Sequence, residues 1–103
     1  MGNSTYTIRT VADVTSGEAI IQFPQQTGFE ELLTDSRKLI HPEVSLFFAL
    51  KGERHDGHRF IADLVAQGVR SFVVSDFSET WRSLDANFIV VKDTLIALQQ
   101  LAS

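Results

Sequence analysis

The sequence predicts an α/β fold, with a small mixed and mainly parallel sheet of about five strands and flanking helices. Two apolar runs at residues 46–50 and 71–75 have the length and composition of buried strands. Between them, apolar residues recur at helical spacing from His58 to about Gln67, and Gly68 ends this segment. A strand, a helix of about ten residues and a second strand form a crossover unit, so we expect parallel strands with the helix packed across one face.

One short helix and two strands are predicted in the N-terminal third of the chain. The spacing of apolar residues from Ile8 predicts a helix closed by a C-terminal glycine, Gly17. A strand follows over residues 19–23 and stops at Pro24. After a turn, residues 29–33 are predicted to form a second strand that carries the following polar residues to the edge of the sheet.

The C-terminal third is predicted to hold a connector, a strand and a helix. Residues 76–85 are polar and predict a connector with one helical turn, followed by a strand over residues 87–91. Asp93 is placed to cap a final helix that continues to the end of the sequence. Because that helix has no C-terminal cap, we expect residues 1–103 to be a single domain of a longer protein.

The composition excludes several classes of protein and site. No cysteine is present, which excludes disulfides, thiolate metal sites and a cysteine nucleophile. No apolar run approaches the roughly 20 residues of a membrane span, and no signal peptide is recognisable. The pI of about 5.2 is not typical of a protein that binds nucleic acid non-specifically. We therefore expect a cytoplasmic protein without nucleic-acid or membrane partners.

A basic segment, residues 34–61, interrupts an acidic chain. It holds five of the nine Lys and Arg residues and all three His residues, against only four Asp and Glu residues. Within it, the strand at residues 46–50 leads into a polar loop bounded by Gly52 and Gly57 and then into a helix. Ligands of α/β sheets bind beyond the carboxyl ends of strands, and a helix N-terminus favours anions such as phosphate. This segment is therefore the predicted ligand site.

Four short motifs occur in register from Thr34 onward. They are TDSRK at residues 34–38, LFFALKGER at 46–54 followed by Asp56-Gly57-His58 and Phe60, AQGV at 66–69, and IVVKDT at 89–94. In residue type, order and spacing, these motifs resemble the N-terminal domain of the Mur ligases, most closely that of the MurF type. The resemblance covers the chain from about residue 8 to residue 103.

The resemblance implies a parent enzyme, an ATP-dependent, amide-forming ligase of peptidoglycan synthesis that adds D-alanyl-D-alanine to UDP-N-acetylmuramoyl-tripeptide. In that family the first domain binds the UDP end of the substrate, a central domain binds ATP, and a third domain delivers the dipeptide. ATP and Mg²⁺ are then cofactors of the parent, and this chain itself carries none. The sequence of residues 54–58, Arg-His-Asp-Gly-His, also resembles that of ligases of this type that are fused to an alanine racemase. Such a fusion would add pyridoxal phosphate as a cofactor.

The chain lacks the phosphate-binding loop, G-x-x-x-x-G-K-[ST], that ATP binding requires. None of Lys38, Lys51 or Lys92 is preceded by Gly and followed by Ser or Thr. We therefore expect this chain to bind a ligand without catalysing a reaction.

Three residues of a polar corner are the first candidate ligand contacts. By the resemblance, Ser36 contacts the uracil or pyrophosphate of the substrate, although a serine at a strand end can also satisfy its own turn. Asp35 is expected to fix the corner by accepting backbone N–H bonds. Arg37 either pairs with a diphosphate through its planar fork or braces Asp35 or Asp56.

The polar loop supplies the second group of candidates. By the resemblance, Glu53, Arg54 and His55 border the uracil. Backbone groups of such a loop can offer the adjacent donor and acceptor that a uracil edge requires. The shape of the loop is therefore expected to matter more than its side chains, and Gly52 and Gly57 hold that shape.

Asp56 is a supporting residue that also invites two other interpretations. With His55 and His58 it could ligate a metal, but the spacing is unusual and a fourth ligand is missing. With Ser36 and His58 it could form a hydrolase triad, but Ser36 lacks the G-x-S-x-G elbow. We expect no metal site and no catalytic residue in this chain.

Three functions stay open at this point. The chain is the UDP-substrate-binding domain of a MurF-type or related MurE-type ligase, a docking domain whose nucleotide site has decayed, or a regulatory domain of a kinase-like protein with the same fold. A phosphate-binding loop shortly beyond residue 103 would separate the first from the third. Failure to bind any uridine nucleotide would favour the second.

Overall fold

The computed structural model describes residues 6–24, 28–52 and 56–102. Its helices are α1 (Ile8–Thr15), α2 (Ile61–Ala66) and α3 (Thr94–Ala102), and its strands are β1 (Tyr6–Thr7), β2 (Glu18–Ile20), β3 (Gly28–Phe29), β4 (Glu31–Leu33), β5 (Ser45–Phe48), β6 (Ser71–Val74) and β7 (Asn87–Val90). Strands β2, β7, β6, β5 and β4 form, in that order, one sheet. Within it β4 to β7 run parallel, and β2 is antiparallel to β7. The mixed, mainly parallel sheet is therefore confirmed.

Both faces of the three central strands, β5, β6 and β7, are buried, which explains their runs of consecutive apolar residues. Side chains alternate along a strand, so Leu46 and Phe48 of β5 face one side and Phe47 faces the other. Helices α1 and α3 cover the first side, and α2 and a 3₁₀ turn at Glu79–Ser83 cover the second. The predicted connector thus forms its helical turn and closes part of the core.

The crossover from β5 to β6 is confirmed, although its helix is shorter than predicted. Gly57–Phe60 form a 3₁₀ turn, and α2 begins only at Ile61. Asp56 starts the turn by accepting the N–H of His58 at 3.0 Å. Gly68 follows the helix with a φ of 109°, a conformation that glycine adopts without strain. The polar loop therefore leads into a capped turn rather than directly into an α-helix.

The predicted strand at residues 29–33 is wrong in one respect, because it is divided between two sheets. Strand β3 pairs with β1, whereas β4 pairs with β5. Between them the N–H of Glu30 donates to the carbonyl of Val44 at 2.8 Å, outside either ladder. The second part still carries the polar corner to the edge of the large sheet, as predicted.

The predicted cap of α1 at Gly17 is corrected. Ser16, with a φ of 57°, is the residue in the left-handed conformation, and Gly17 follows it. A Cβ on Gly17 would lie 2.7 Å from Cγ2 of Ile89 and 2.9 Å from Cγ1 of Val91. Gly17 is therefore required by its close packing on β7 and the residue after it, and not by its own dihedral angles.

Strand β2 ends before the predicted residue 23, because the side chain of Asn87 forms hydrogen bonds with the backbone that follows β2. The Oδ1 atom of Asn87 accepts the N–H groups of Gln22 and Phe23 at 3.0 and 2.8 Å. Its Nδ2 atom donates back to the carbonyl of Phe23 at 2.9 Å. These bonds replace the ladder bonds that a longer strand would have made.

Candidate functional site

Four parallel strands end at the same edge of the sheet, and two cavities lie there. The first, of about 420 Å³, is called the corner cavity and is lined by Thr34, Asp35, Ser36, Arg37 and Phe60. The second, of about 340 Å³, is called the lysine cavity and is lined by Leu50, Lys51, Ser75, Lys92, Asp93, Thr94 and Leu95. The corner cavity follows β4, whereas the lysine cavity lies across the ends of β5, β6 and β7.

Asp35 and Arg37 of the corner cavity are bound to each other. Asp35 caps the 3₁₀ turn at Ser36–Lys38 by accepting the N–H of Arg37 at 3.0 Å. The guanidinium of Arg37 donates from Nε to one carboxylate oxygen at 3.0 Å and from Nη2 to the other at 2.9 Å. Arg37 was predicted either to pair with a diphosphate or to brace an aspartate. In the structure it braces Asp35.

This pairing sets the protonation of Asp35. Hydrogen bonds from the Arg37 side chain, and then from its backbone N–H, lower the pKa of Asp35 to about 2. The carboxylate therefore stays ionised, and can keep its bonds to Arg37, down to a pH of about 2. Ser36 lies beside it, half-buried, on the lining of the cavity. Contact between Ser36 and a ligand stays a prediction.

The middle of the polar loop, Glu53, Arg54 and His55, lies outside the described residues. Its two ends are fixed, because Lys51 and Asp56 form an antiparallel bridge and the N–H of Gly57 donates to the carbonyl of Leu50 at 2.7 Å. The exposed Gly52 lies just inside this closure. The loop therefore leaves the end of β5 and returns to it within a few residues.

Gly57 is required at the closing end of this loop. A Cβ there would lie 3.0 Å from both Cα of Ala49 and the backbone N of Leu50, which cannot move as a flexible side chain can. This close approach gives a physical reason for the glycine that was expected to hold the loop's shape.

A hydrogen-bonded chain joins the polar loop to the end of β6. The Nδ1 atom of His58 lies 2.6 Å from Oδ1 of Asp56, and its Nε2 atom accepts the backbone N–H of Ser75 at 3.1 Å. Because Nε2 is the acceptor, His58 is assigned the neutral tautomer with its proton on Nδ1. Burial raises the pKa of Asp56, but the hydrogen bonds from His58 outweigh it and hold the pKa below its usual value.

The position of His58 can be compared with the hydrolase triad and the metal site that were considered in the sequence analysis. His58 faces Ser75 and not Ser36, with Oγ of Ser75 at 3.4 Å from Nε2. The lone pair of Nε2 already accepts the N–H of Ser75, so the ring is poorly placed to take a proton from that hydroxyl. Among the described residues, no group of three or more His, Cys, Asp or Glu side chains is placed to hold a metal ion.

The lysine cavity is the part of the site that the sequence analysis missed. Lys51 follows β5, Ser75 follows β6 and Lys92 follows β7, so topology alone brings them to one place. Asp93 caps α3 as predicted, accepting the N–H groups of Leu95 and Ile96. The rule that ligands bind at strand carboxyl ends, applied to every predicted strand, would have found these residues.

Across the described ranges, no helix has the length and hydropathy needed to cross a membrane.

Comparison with known proteins identifies the family. A family model described as "Mur ligase family, catalytic domain" matches residues 29–103. The chain belongs to the Mur ligase family. The resemblance found in the sequence is therefore confirmed, and the solved structures and curated relatives named below support the MurF type within the family.

Solved structures and curated relatives agree with this assignment. The structure "Crystal structure II of MurF from Acinetobacter baumannii" is 33% identical with a TM-score of 0.76, covering 98% of this chain and 21% of that one. The UDP-N-acetylmuramoyl-tripeptide--D-alanyl-D-alanine ligase of Bacillus subtilis is 38% identical over 96 residues, which are 93% of this chain and 20% of the relative. The ligase of the same name from Haemophilus influenzae is 44% identical over 73 residues, 71% of this chain and 15% of the relative.

A relative of the second type is also similar. The UDP-N-acetylmuramoyl-L-alanyl-D-glutamate--2,6-diaminopimelate ligase of Cytophaga hutchinsonii is 39% identical over 69 residues, 67% of this chain and 14% of the relative. This chain thus spans no more than about a fifth of the length of these relatives. The predicted fusion to an alanine racemase stays a prediction.

Proposed function

We propose that this chain is the domain of a MurF-type ligase that binds the UDP end of UDP-N-acetylmuramoyl-tripeptide. One observation carries the proposal. The corner Asp35-Ser36-Arg37 and both ends of the polar loop lie at the same carboxyl edge of a parallel sheet. This edge is where ligands of open α/β sheets bind, and the family supplies a substrate with a uridine and a diphosphate.

In this proposal the chain binds the UDP end of the substrate but catalyses no reaction. Although the matching family model is described as a catalytic domain, the chain has no G-x-x-x-x-G-K-[ST] loop in which ATP phosphates could bind. ATP, Mg²⁺ and the dipeptide are then bound by other domains of a cytoplasmic parent enzyme. Ser36, Gly52, Glu53, Arg54 and His55 are the proposed contacts to the uridine end.

A second candidate is supported by the similarity to the 2,6-diaminopimelate ligase. A MurE-type parent would act on a substrate with a shorter peptide. The UDP end is common to both substrates, so the role proposed for this chain is the same in either parent.

The proposal is tested by titrating the isotope-labelled chain and following its backbone amide signals by NMR. We expect UDP-N-acetylmuramoyl-tripeptide and UDP to shift signals of residues 34–37 and 52–58, with ATP as a control that does not. A site with a few hydrogen bonds gives affinities near millimolar, about -4 kcal/mol. Absence of any shift at millimolar ligand would contradict the proposal and favour the docking domain. Hydrolysis of ATP by the purified chain would contradict the non-catalytic role.

A further inference from the structure

Two lysines line one cavity at the carboxyl edge, and neither forms an ion pair in the described part of the chain, although the charge of Lys51 helps to lower the pKa of Asp56. Lys51 and Lys92 are exposed, and no ion pair within residues 6–24, 28–52 and 56–102 includes either ammonium group. Arg37 of the corner cavity differs, since both oxygens of Asp35 already accept its N–H groups. Among the residues that line the two cavities, the cations without an ion pair are therefore those of the lysine cavity.

The other polar groups of the cavity decide what kind of ligand it accepts. The carboxylate of Asp93 accepts the N–H groups of Leu95 and Ile96 and so caps the N-terminus of α3. Thr94 is buried and its hydroxyl donates to the carbonyl of Ala49 at 3.0 Å. The lining side chains still carry two positive charges against one negative charge. An anion is the ligand that this lining favours.

The backbone at both lysines is held in place by hydrogen bonds or strand pairing. The bridge to Asp56 holds the main chain at Lys51. Lys92 follows Val91, whose N–H donates to the carbonyl of Val74 at 2.8 Å, and precedes the capping residue of α3. Because both lysines line one cavity from fixed positions at the sheet edge, we expect that binding one anion between them requires side-chain movement only.

We propose that the lysine cavity binds the diphosphate of the nucleotide, with Lys51 and Lys92 as its cations and the hydroxyl of Ser75 as a donor. This inference rests on the proposed function and adds the position of the charged part of the ligand. Lysine binds phosphate as a compact point charge and needs no planar fork. The uridine then lies toward the corner cavity and the polar loop, and Arg37 supports the corner instead of neutralising the diphosphate.

The test compares the affinity of the 103-residue chain for UDP with its affinity for uridine, which lacks phosphate. Each of Lys51→Gln and Lys92→Gln is expected to weaken UDP binding about fivefold, as for one charge-assisted contact at an exposed site. Uridine binding should be unchanged. Lys38→Gln is the matched control, because Lys38 is also exposed, lies beside the corner cavity and loses the same charge. We expect it to change UDP affinity less than twofold.

Inorganic pyrophosphate is the second probe, and it does not depend on uridine recognition. It should shift amide signals of residues 51, 75 and 92–95 and leave residues 34–37 in place. If pyrophosphate shifts residues 34–37 instead, or if UDP binds both lysine variants as tightly as the wild type, the inference is overturned while the proposed function stands. If neither uridine nor UDP binds the wild type, the proposed function fails and the inference fails with it.

Discussion

The corner cavity and the lysine cavity lie at one edge of the same sheet but use their charges differently. In the corner cavity, Asp35 and Arg37 are two residues apart and bind each other through both carboxylate oxygens. In the lysine cavity, Lys51 and Lys92 follow different strands, and within the described residues neither forms an ion pair. In this molecule the charges that are close in sequence stabilise the motif they belong to, whereas the two lysines that the fold brings to one cavity form no ion pair with each other's segments in the described part of the chain.

Asp56 and His58 connect two sides of the lysine cavity. Asp56 closes the polar loop through its bridge to Lys51, and His58 binds the backbone of Ser75, which lines the lysine cavity. The stacked ring of Trp81, 6.1 Å away between centroids, supports His58. Disturbing this connection should therefore affect the lysine cavity before it affects the corner.

The largest effect is expected from Gly57→Val, which places a branched side chain against the backbone of Ala49 and Leu50. Overpacking at a site that cannot move should lower the free energy of unfolding by about 2 to 3 kcal/mol. Gly52→Val is the matched control, because Gly52 is exposed and has no positive φ. Its expected effect is within about 0.5 kcal/mol. Urea denaturation of both variants measures the difference, and equal stabilities would show that the loop closure is not tight.

A smaller effect is expected from His58→Phe. Phenylalanine can still stack on Trp81 but cannot bind Asp56 or accept the N–H of Ser75, so we expect a loss of about 1 to 2 kcal/mol. Hydrogen exchange at the Ser75 amide should also become faster. His41→Phe is the control, since the bond from His41 to Glu31 at 3.0 Å is exposed and should contribute little. Unchanged exchange at Ser75 in His58→Phe would contradict the proposed connection.

The smallest effect on stability, and the sharpest test of the corner, is the titration of Asp35. Its pKa is lowered to about 2, so the pairing stabilises the folded state above the pKa of the unfolded chain and this stabilisation is lost as the pH falls through about 2. In Arg37→Gln the pKa should move back toward its ordinary value without reaching it, because the backbone N–H of residue 37 still donates.

Carboxyl carbon shifts followed by NMR as a function of pH measure this pKa. Lys38→Gln should move it less than Arg37→Gln does, since Lys38 contributes the weakest of the interactions that lower it. A normal pKa in the wild-type chain would mean that Arg37 is free. The contrast between the two cavities would then disappear, and Arg37 would compete for the diphosphate.

The sequence was sufficient for the parts of the fold that depend on local pattern. The apolar runs around Phe47 and Phe72, the intervening helical spacing and Gly68 predicted the crossover unit. The cap at Asp93 was also predicted, because a capping side chain binds N–H groups two and three residues away.

The parts that were missed depend on contacts between distant residues. The division of residues 29–33 follows from the pairing of Phe29 with Tyr6, which no local pattern encodes. Gly17 was assigned to a helix cap, although packing against Ile89 is what requires it. The residues of the lysine cavity could have been found by applying the rule for strand carboxyl ends to every predicted strand, but which of them share one cavity depends on the strand order.

The antiparallel pairing of β2 with β7 has a consequence for how the chain folds. The bond between Gln22 and Asn87 joins residues 65 positions apart, so the first strand of the large sheet finds its partner in the last. Strands β4, β5 and β6 can pair through short connections as soon as they are synthesised, but β2 must wait until β7 has left the ribosome. Closing so long a loop is slow, and the free edge of β7 can pair with other chains in the meantime. Folding speed and resistance to aggregation therefore depend on when this last pairing forms.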